Sequence, residues 1–321
     1  MDLFFCLSGF IFFWLYAEKV RTGAITATRF AILRFSRLYP LHFITLIAVL
    51  LMQMVMMANN GHYFIYLCND FKHFILNLFL ISDWGLQTGF SFNGPIWSVS
   101  REIFLYCVFF MLCRLGSKGL PILPASLILA AGGAMLAFLL PLNSTGRGLL
   151  CFFIGGLTHG LYNHWINKDG INTVWKPLFI ICLVLWSSVI LAAILQFNRL
   201  YHHLTGLVFC SLVLFPITII TIAVLETKRG YPGKRLSFLG DISYSSYLLH
   251  FPLQLAAVLI TDLTGRSRTF FYTPISFCLF FSILIAASLM SYHFIERPLQ
   301  NYLRNKLQEG PARPALEAAS N

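Results

Sequence analysis

Long apolar runs follow one another along almost the whole chain, and they constrain its fold more than any other feature. The hydrocarbon core of a bilayer is about 30 Å thick and takes roughly 20 apolar residues per helix. Nine stretches are candidates: 2–17, 38–58, 95–114, 120–140, 147–163, 176–197, 205–225, 236–260 and 270–295, of which the first and fifth are short. Backbone amides inside a bilayer have no water to bind, so each run is expected to close its own hydrogen bonds as a helix. The expected fold is therefore an all-α, polytopic membrane bundle of about nine spanning helices.

Charge and cysteine usage agree with that class. Only 11% of the residues are charged against 58% hydrophobic, far from the roughly 25% charged fraction of a soluble domain. The net charge of +11 does not imply nucleic acid, because the basic residues sit in short loops between apolar runs and not on one solvated face. All cysteines except Cys68 lie inside apolar runs, where cysteine behaves as a small hydrophobe. With neither CxxC nor HExxH, no disulfide framework and no metal site is expected.

The segments between the runs are short apart from 59–94, whose stretch Phe71 to Ile81 is too short to span and is expected to lie in the interface. Residues 1–298 read as one membrane domain, and 299–321 as a polar, largely disordered tail. Lysine and arginine alternate between loops. One set holds Lys19, Arg21, Arg29, Arg34, Arg37, Arg114, Lys118, Lys168, Lys176, Lys228, Arg229, Lys234, Arg235, Arg297, Arg304, Lys306 and Arg313; the other holds only Lys72, Arg147, Arg199, Arg266 and Arg268. The richer set is expected to be cytoplasmic, and the C-terminus with it. Nine spans then place Met1 outside with no signal peptide to carry it there, so a further helix upstream, and a ten-helix intact protein, is expected.

Ionisable groups inside spans cost roughly 2.5 to 3.5 kcal/mol each on insertion scales and mark cavities or partners. Arg101 and Glu102 lie in the third run; adjacent helical residues point about 100° apart, so the two are expected to have different partners. His250 and Asp241 lie in the eighth run, and His293 and Glu296 end the ninth. Ser8 and Gly9 interrupt the first. Arg34 and Arg37, one turn apart at the edge of the second run, project to one side of a helix and suit bidentate phosphate binding. Glu296, followed by Arg297 and Pro298, reads as a helix end.

At these residues the chain resembles the acyltransferase-3 family of bacterial membrane O-acyltransferases. Asp2, Leu3, Phe4, Phe5, Leu7, Ser8, Gly9 and Phe10 match its D-L-F-F-x-L-S-G-F segment; Arg34, Arg37, Leu38 and Pro40 match R-x-x-R-[IL]-x-P. Trp97, Ser98, Val99 and Glu102 match W-S-[LIV]-x-x-E; Gly240, Ile242, Ser243, Tyr244, Tyr247, Leu248, Leu249 and His250 match G-x-I-S-Y-x-x-Y-L-L-H; Glu296, Arg297 and Pro298 match the closing E-R-P. The resemblance implies a ten-helix inner-membrane enzyme that moves an acyl group, usually acetyl from cytoplasmic acetyl-CoA, to a hydroxyl of a cell-surface glycan or its lipid-linked precursor. It implies no tightly bound cofactor, with acyl-CoA as a donor substrate and membrane lipid as surroundings.

Under that resemblance Arg34 and Arg37 hold the acyl-CoA, and Glu102 positions or deprotonates the acceptor hydroxyl. His250 is a second candidate catalytic group, and Ser8, Trp97, Arg101 and Tyr244 are candidate substrate contacts. The family's first helix carries an arginine and a histidine in an R-x(about 10)-H pattern; the given sequence begins after it, so this form is expected to be inactive or weakly active. A glycan or acyl transporter without chemistry is the competing reading, although no repeated halves are visible. A separate extracytoplasmic partner is the alternative to a chain that works alone.

Overall fold

The computed structural model describes residues 1–140, 144–167, 170–195, 206, 208–229, 233 and 237–308. Among these the elements are helical, with no β-strand. The main helices are α1 (Asp2–Arg21), α2 (Ala27–Asn60), α3 (Phe71–Leu78), α4 (Trp97–Gly116), α5 (Ile122–Leu139), α6 (Ser144–Asn167) and α7 (Ile171–Ile194). They are followed by α8 (Cys210–Arg229), α9 (Ser237–Leu263), α10 (Pro274–Ser291) and α11 (Arg297–Gln308). Lys168, Arg199, Lys234, Arg235, Arg313 and residues 309–321 lie outside the described residues.

Eight helices among the described residues are long and apolar enough to cross a membrane. They correspond to eight of the nine expected runs. The run at 147–163 is the exception: it forms part of the 24-residue α6, but Arg147, Thr158, His159 and its glycines dilute its apolarity. Its packing explains why: α6 lies against α1, α5 and α8, so its surface meets protein and does not need lipid-compatible side chains.

The second run also extends further than expected. At 1.5 Å per residue the 34 residues of α2 span about 50 Å, well beyond a hydrocarbon core. Thr26 caps its start, accepting from the Arg29 amide at 3.3 Å. Arg29, Arg34 and Arg37 therefore stand on continuous helix and not in a loop.

The chain divides into two compact units, residues 1–25 with 98–237, and residues 26–97 with 238 onward. In unit one, backbones touch. A Cβ on Gly9 would collide with the Phe152 carbonyl oxygen, and one on Gly155 with that of Cys6, so α1 and α6 can meet only through glycine. Gly133 and Gly146 do the same between α5 and α6, where an added Cβ would lie 2.6 Å from the Leu150 nitrogen and 2.5 Å from the Ala137 nitrogen. Phe12, Phe13, Phe109, Phe152 and Phe153 fill the remaining space and are buried.

In unit two, α2 and α9 share a core of Leu46, Val49, Met56, Phe92, Phe251, Leu255 and Leu259. Pro252 inside α9 has no N–H to give the Leu248 carbonyl. The amide of the buried Asn93, from the segment before α4, fills that gap at 3.1 Å. Nearby, the Tyr247 hydroxyl donates to the Pro95 carbonyl at 2.7 Å. A π turn at Tyr292–Glu296 joins α10 to α11, so the helix continues through Glu296, where the E-R-P triplet read as a helix end. The helix Arg297–Gln308 packs on α2, so residues 299–308, inside the stretch expected to be disordered, are helical.

Candidate functional site

The candidate residues fall into two groups, one in each unit. In unit one the first turns of α4 place Glu102 and Tyr106 four residues apart, hence on one face. The Glu102 Oε1 accepts from the Ser8 hydroxyl of α1 at 3.1 Å and from the Tyr106 hydroxyl. The Tyr106 ring is itself fixed, stacked on Phe12 with ring centroids 4.1 Å apart. Both donors end on one carboxylate oxygen, which orients the group and leaves Oε2 as the oxygen that can meet a further hydroxyl.

Arg101 turns the other way, as expected of adjacent helical residues. It is buried and donates to the Ser144 hydroxyl at 2.6 Å and to the Thr145 hydroxyl, both at the start of α6. Gly148 leaves room for its stem: a Cβ there would lie 3.2 Å from the Arg101 Cγ. Asp2 pairs with Arg147 at 2.5 Å. The D-L-F-F-x-L-S-G-F segment thus ties α1 to α6 through Asp2 and Gly9, and to α4 through Ser8.

In unit two, Arg34 and Arg37 stand on the basic first half of α2, Arg37 exposed and Arg34 half-buried. The Tyr244 hydroxyl of α9 donates to the Leu38 carbonyl and so pins the turn that carries Arg37. Glu296 is buried; it accepts from the Ser245 hydroxyl and from the Ser291 hydroxyl at 3.2 Å, and it lies within electrostatic reach of Arg37.

His250, on α9, has its Nδ1 2.6 Å from the Tyr247 carbonyl. A carbonyl can only accept, so Nδ1 carries the proton and Nε2 of the neutral ring is a lone pair. Trp97 is half-buried at the first position of α4. Outside the spans, the carboxyl of Asp70, which caps α3, is held below the usual aspartate range by the backbone N–H of His73 and by that residue's ring.

Glu102, Ser8 and Arg101 are thus found in one unit, and Arg34, Arg37, Tyr244, Trp97 and His250 in the other. Sequence reading missed Tyr106 as the second donor to Glu102, although its i+4 spacing carries the signal. The partners of Arg101, at Ser144 and Thr145, have no local signal. Among the described residues no group of three His, Cys, Asp or Glu could hold a metal ion.

Neither the curated proteins nor the solved structures contain a match to this chain. The model of the acyltransferase domain family Acyl_transf_3 matches residues 1–292, ending short of the Glu296-Arg297-Pro298 triplet. That match runs from the Asp2–Gly9 segment through both groups of candidate residues to the end of α10, and on it the chain belongs to the Acyl_transf_3 family of membrane acyltransferases.

Proposed function

We propose that this chain transfers an acyl group, acetyl in the simplest case, from cytoplasmic acyl-CoA to a hydroxyl of a cell-surface or lipid-linked glycan at the bacterial inner membrane. The observation that carries this reading is the Glu102 carboxylate, inside a span and held by the Ser8 and Tyr106 hydroxyls on one oxygen only. A carboxylate oriented this way presents Oε2 to an acceptor hydroxyl as a general base.

In the reaction, the acceptor oxygen attacks the thioester carbonyl carbon, its proton passes to Glu102, the C–S bond breaks, and the proton ends on the departing CoA thiolate. The roles divide by unit. Unit one activates the acceptor; Arg101, fixed by its hydroxyl partners, holds the α6 start beside Glu102. Unit two binds the donor, with Arg34 and Arg37 as guanidinium forks for CoA phosphates and Tyr244 holding their helix in place. His250, with its Nε2 lone pair, is the base on the donor side, and Trp97 and Ser8 are substrate contacts.

The test is acetyl transfer from labelled acetyl-CoA to surface polysaccharide by the reconstituted protein. Glu102→Gln keeps the shape and hydrogen-bond acceptor but not the base, and should lower kcat by about 100-fold or more while CoA binding stays as in the wild type. The double change Arg34→Ala with Arg37→Ala should weaken CoA binding instead. Unchanged transfer in the first variant and unchanged binding in the second would favour transport without chemistry.

A further inference from the structure

A cavity of about 280 Å³ opens between the start of α9 and the end of α10, lined by Phe238, Asp241, Ile242, Leu289, Tyr292, His293 and Arg297. No role proposed above uses it. Its two walls are helical faces: Phe238, Asp241 and Ile242 repeat at i, i+3 and i+4, as do Leu289, Tyr292 and His293. The π turn at Tyr292–Glu296 then sets where Arg297 falls.

The lining is amphipathic along the helix axes. Ile242 and Leu289 lie further into their spans than the charged groups, and Phe238 and Leu289 keep 48% and 36% of their surface exposed. At the open end stand one carboxylate, Asp241, within electrostatic reach of Tyr292, and the cation Arg297. His293 has its Nδ1 3.0 Å from the Leu289 carbonyl; that nitrogen donates, so Nε2 is the atom left for a ligand. This end of unit two is also basic: α11 packs on α2, and Arg37 of α2 lies within electrostatic reach of Glu296.

We propose that this cavity binds a phospholipid whose headgroup carries both a phosphate and a primary ammonium. Arg297 meets the phosphate, since a guanidinium bonds it bidentately. Asp241 takes the ammonium. Ile242 and Leu289, deeper in their spans than the charged groups, flank the first part of the acyl chains. The carboxylate selects the headgroup: a purely anionic lipid would bring a like charge against Asp241, and a choline headgroup has no N–H to give it.

Native mass spectrometry of the delipidated full chain, titrated with phosphatidylethanolamine, phosphatidylglycerol and phosphatidylcholine, tests this directly. Wild type should retain one phosphatidylethanolamine with about tenfold preference over each of the others, the scale of one charge-assisted hydrogen bond. Asp241→Asn should abolish the preference while lipid still binds, and Arg297→Gln should weaken all three. Leu289→Trp fills the cavity without touching either charge and should displace the lipid; an unchanged elution profile and melting temperature show that each variant is folded. Equal retention of the three lipids by the wild type, or an unchanged preference in Asp241→Asn, overturns the proposal. Competition by glycerophosphoethanolamine at concentrations equal to the lipid would mean that the tails contribute nothing, and would overturn the lipid assignment in favour of a soluble headgroup.

Discussion

Unit one and unit two are built from the same apolar material and hold their helices together by opposite means. In unit one Gly9, Gly155, Gly133 and Gly146 bring backbone against backbone, and no side chain could replace them without moving a helix. In unit two proline breaks the helical ladder, as Pro252 does, and a polar side chain from elsewhere in the unit completes it. Between lipid-facing helices burial supplies little net attraction, so association depends on close packing and on hydrogen bonds. The first unit relies on packing and the second on polar repair. Substitutions should therefore fail for steric reasons in one and for reasons of satisfaction in the other.

The sharpest contrast is between two glycines. Gly155→Ala places a methyl group on the Cys6 carbonyl and should cost at least the roughly 1–3 kcal/mol of ordinary overpacking, with Gly155→Leu preventing the fold of unit one altogether. Gly240→Ala, in α9 of unit two, meets nothing within 4 Å and should leave stability unchanged or raise it by up to about 1 kcal/mol. Thermal unfolding of both variants in one lipid environment measures the difference; equal losses would break the comparison.

Polar repair gives the next effect. Asn93→Ala removes the donor to the Leu248 carbonyl and should cost about 1–3 kcal/mol. Pro252→Ala restores the missing N–H, so in that background the cost of Asn93→Ala should shrink. A double-mutant cycle reads this coupling, and additivity of the two changes would remove the assigned role.

The smallest effect is shared by the units. Each holds an arginine–aspartate pair near a helix end, Asp2 with Arg147 at 2.5 Å and Asp262 with Arg268 at 2.6 Å. Both arginines are over a third exposed, so Arg147→Ala and Arg268→Ala should each cost under about 1 kcal/mol, and less in high salt. A larger loss on one side would show that this pair, unlike its counterpart, is shielded from water.

Much of this was legible in the chain itself, for identifiable reasons. Runs of about 20 apolar residues can be read because a bilayer fixes helix length, and they placed eight of the helices within a few residues, apart from the early start of α2. The run at 147–163 was harder to class because α6 faces protein, which relaxes the demand for apolarity. Arg101 and Glu102 could be separated by the helical repeat alone. The i+4 relation of Tyr106 to Glu102 was equally open to reading, whereas Ser8 lies 94 positions from Glu102, and no local pattern joins them.

What the sequence determined by itself is the membrane class, the helical content, the family motifs and the spacing of its charged groups, all of which follow from local periodicity and from the cost of burying charge. Only the tertiary structure decided that Ser8 holds Glu102, that Glu296 takes the hydroxyl of Ser245, and that Asn93 completes the ladder broken by Pro252. It also made the cleft between α9 and α10. These are contacts between residues far apart in the chain, and they depend on the depth and rotation of each helix, which packing sets and composition does not.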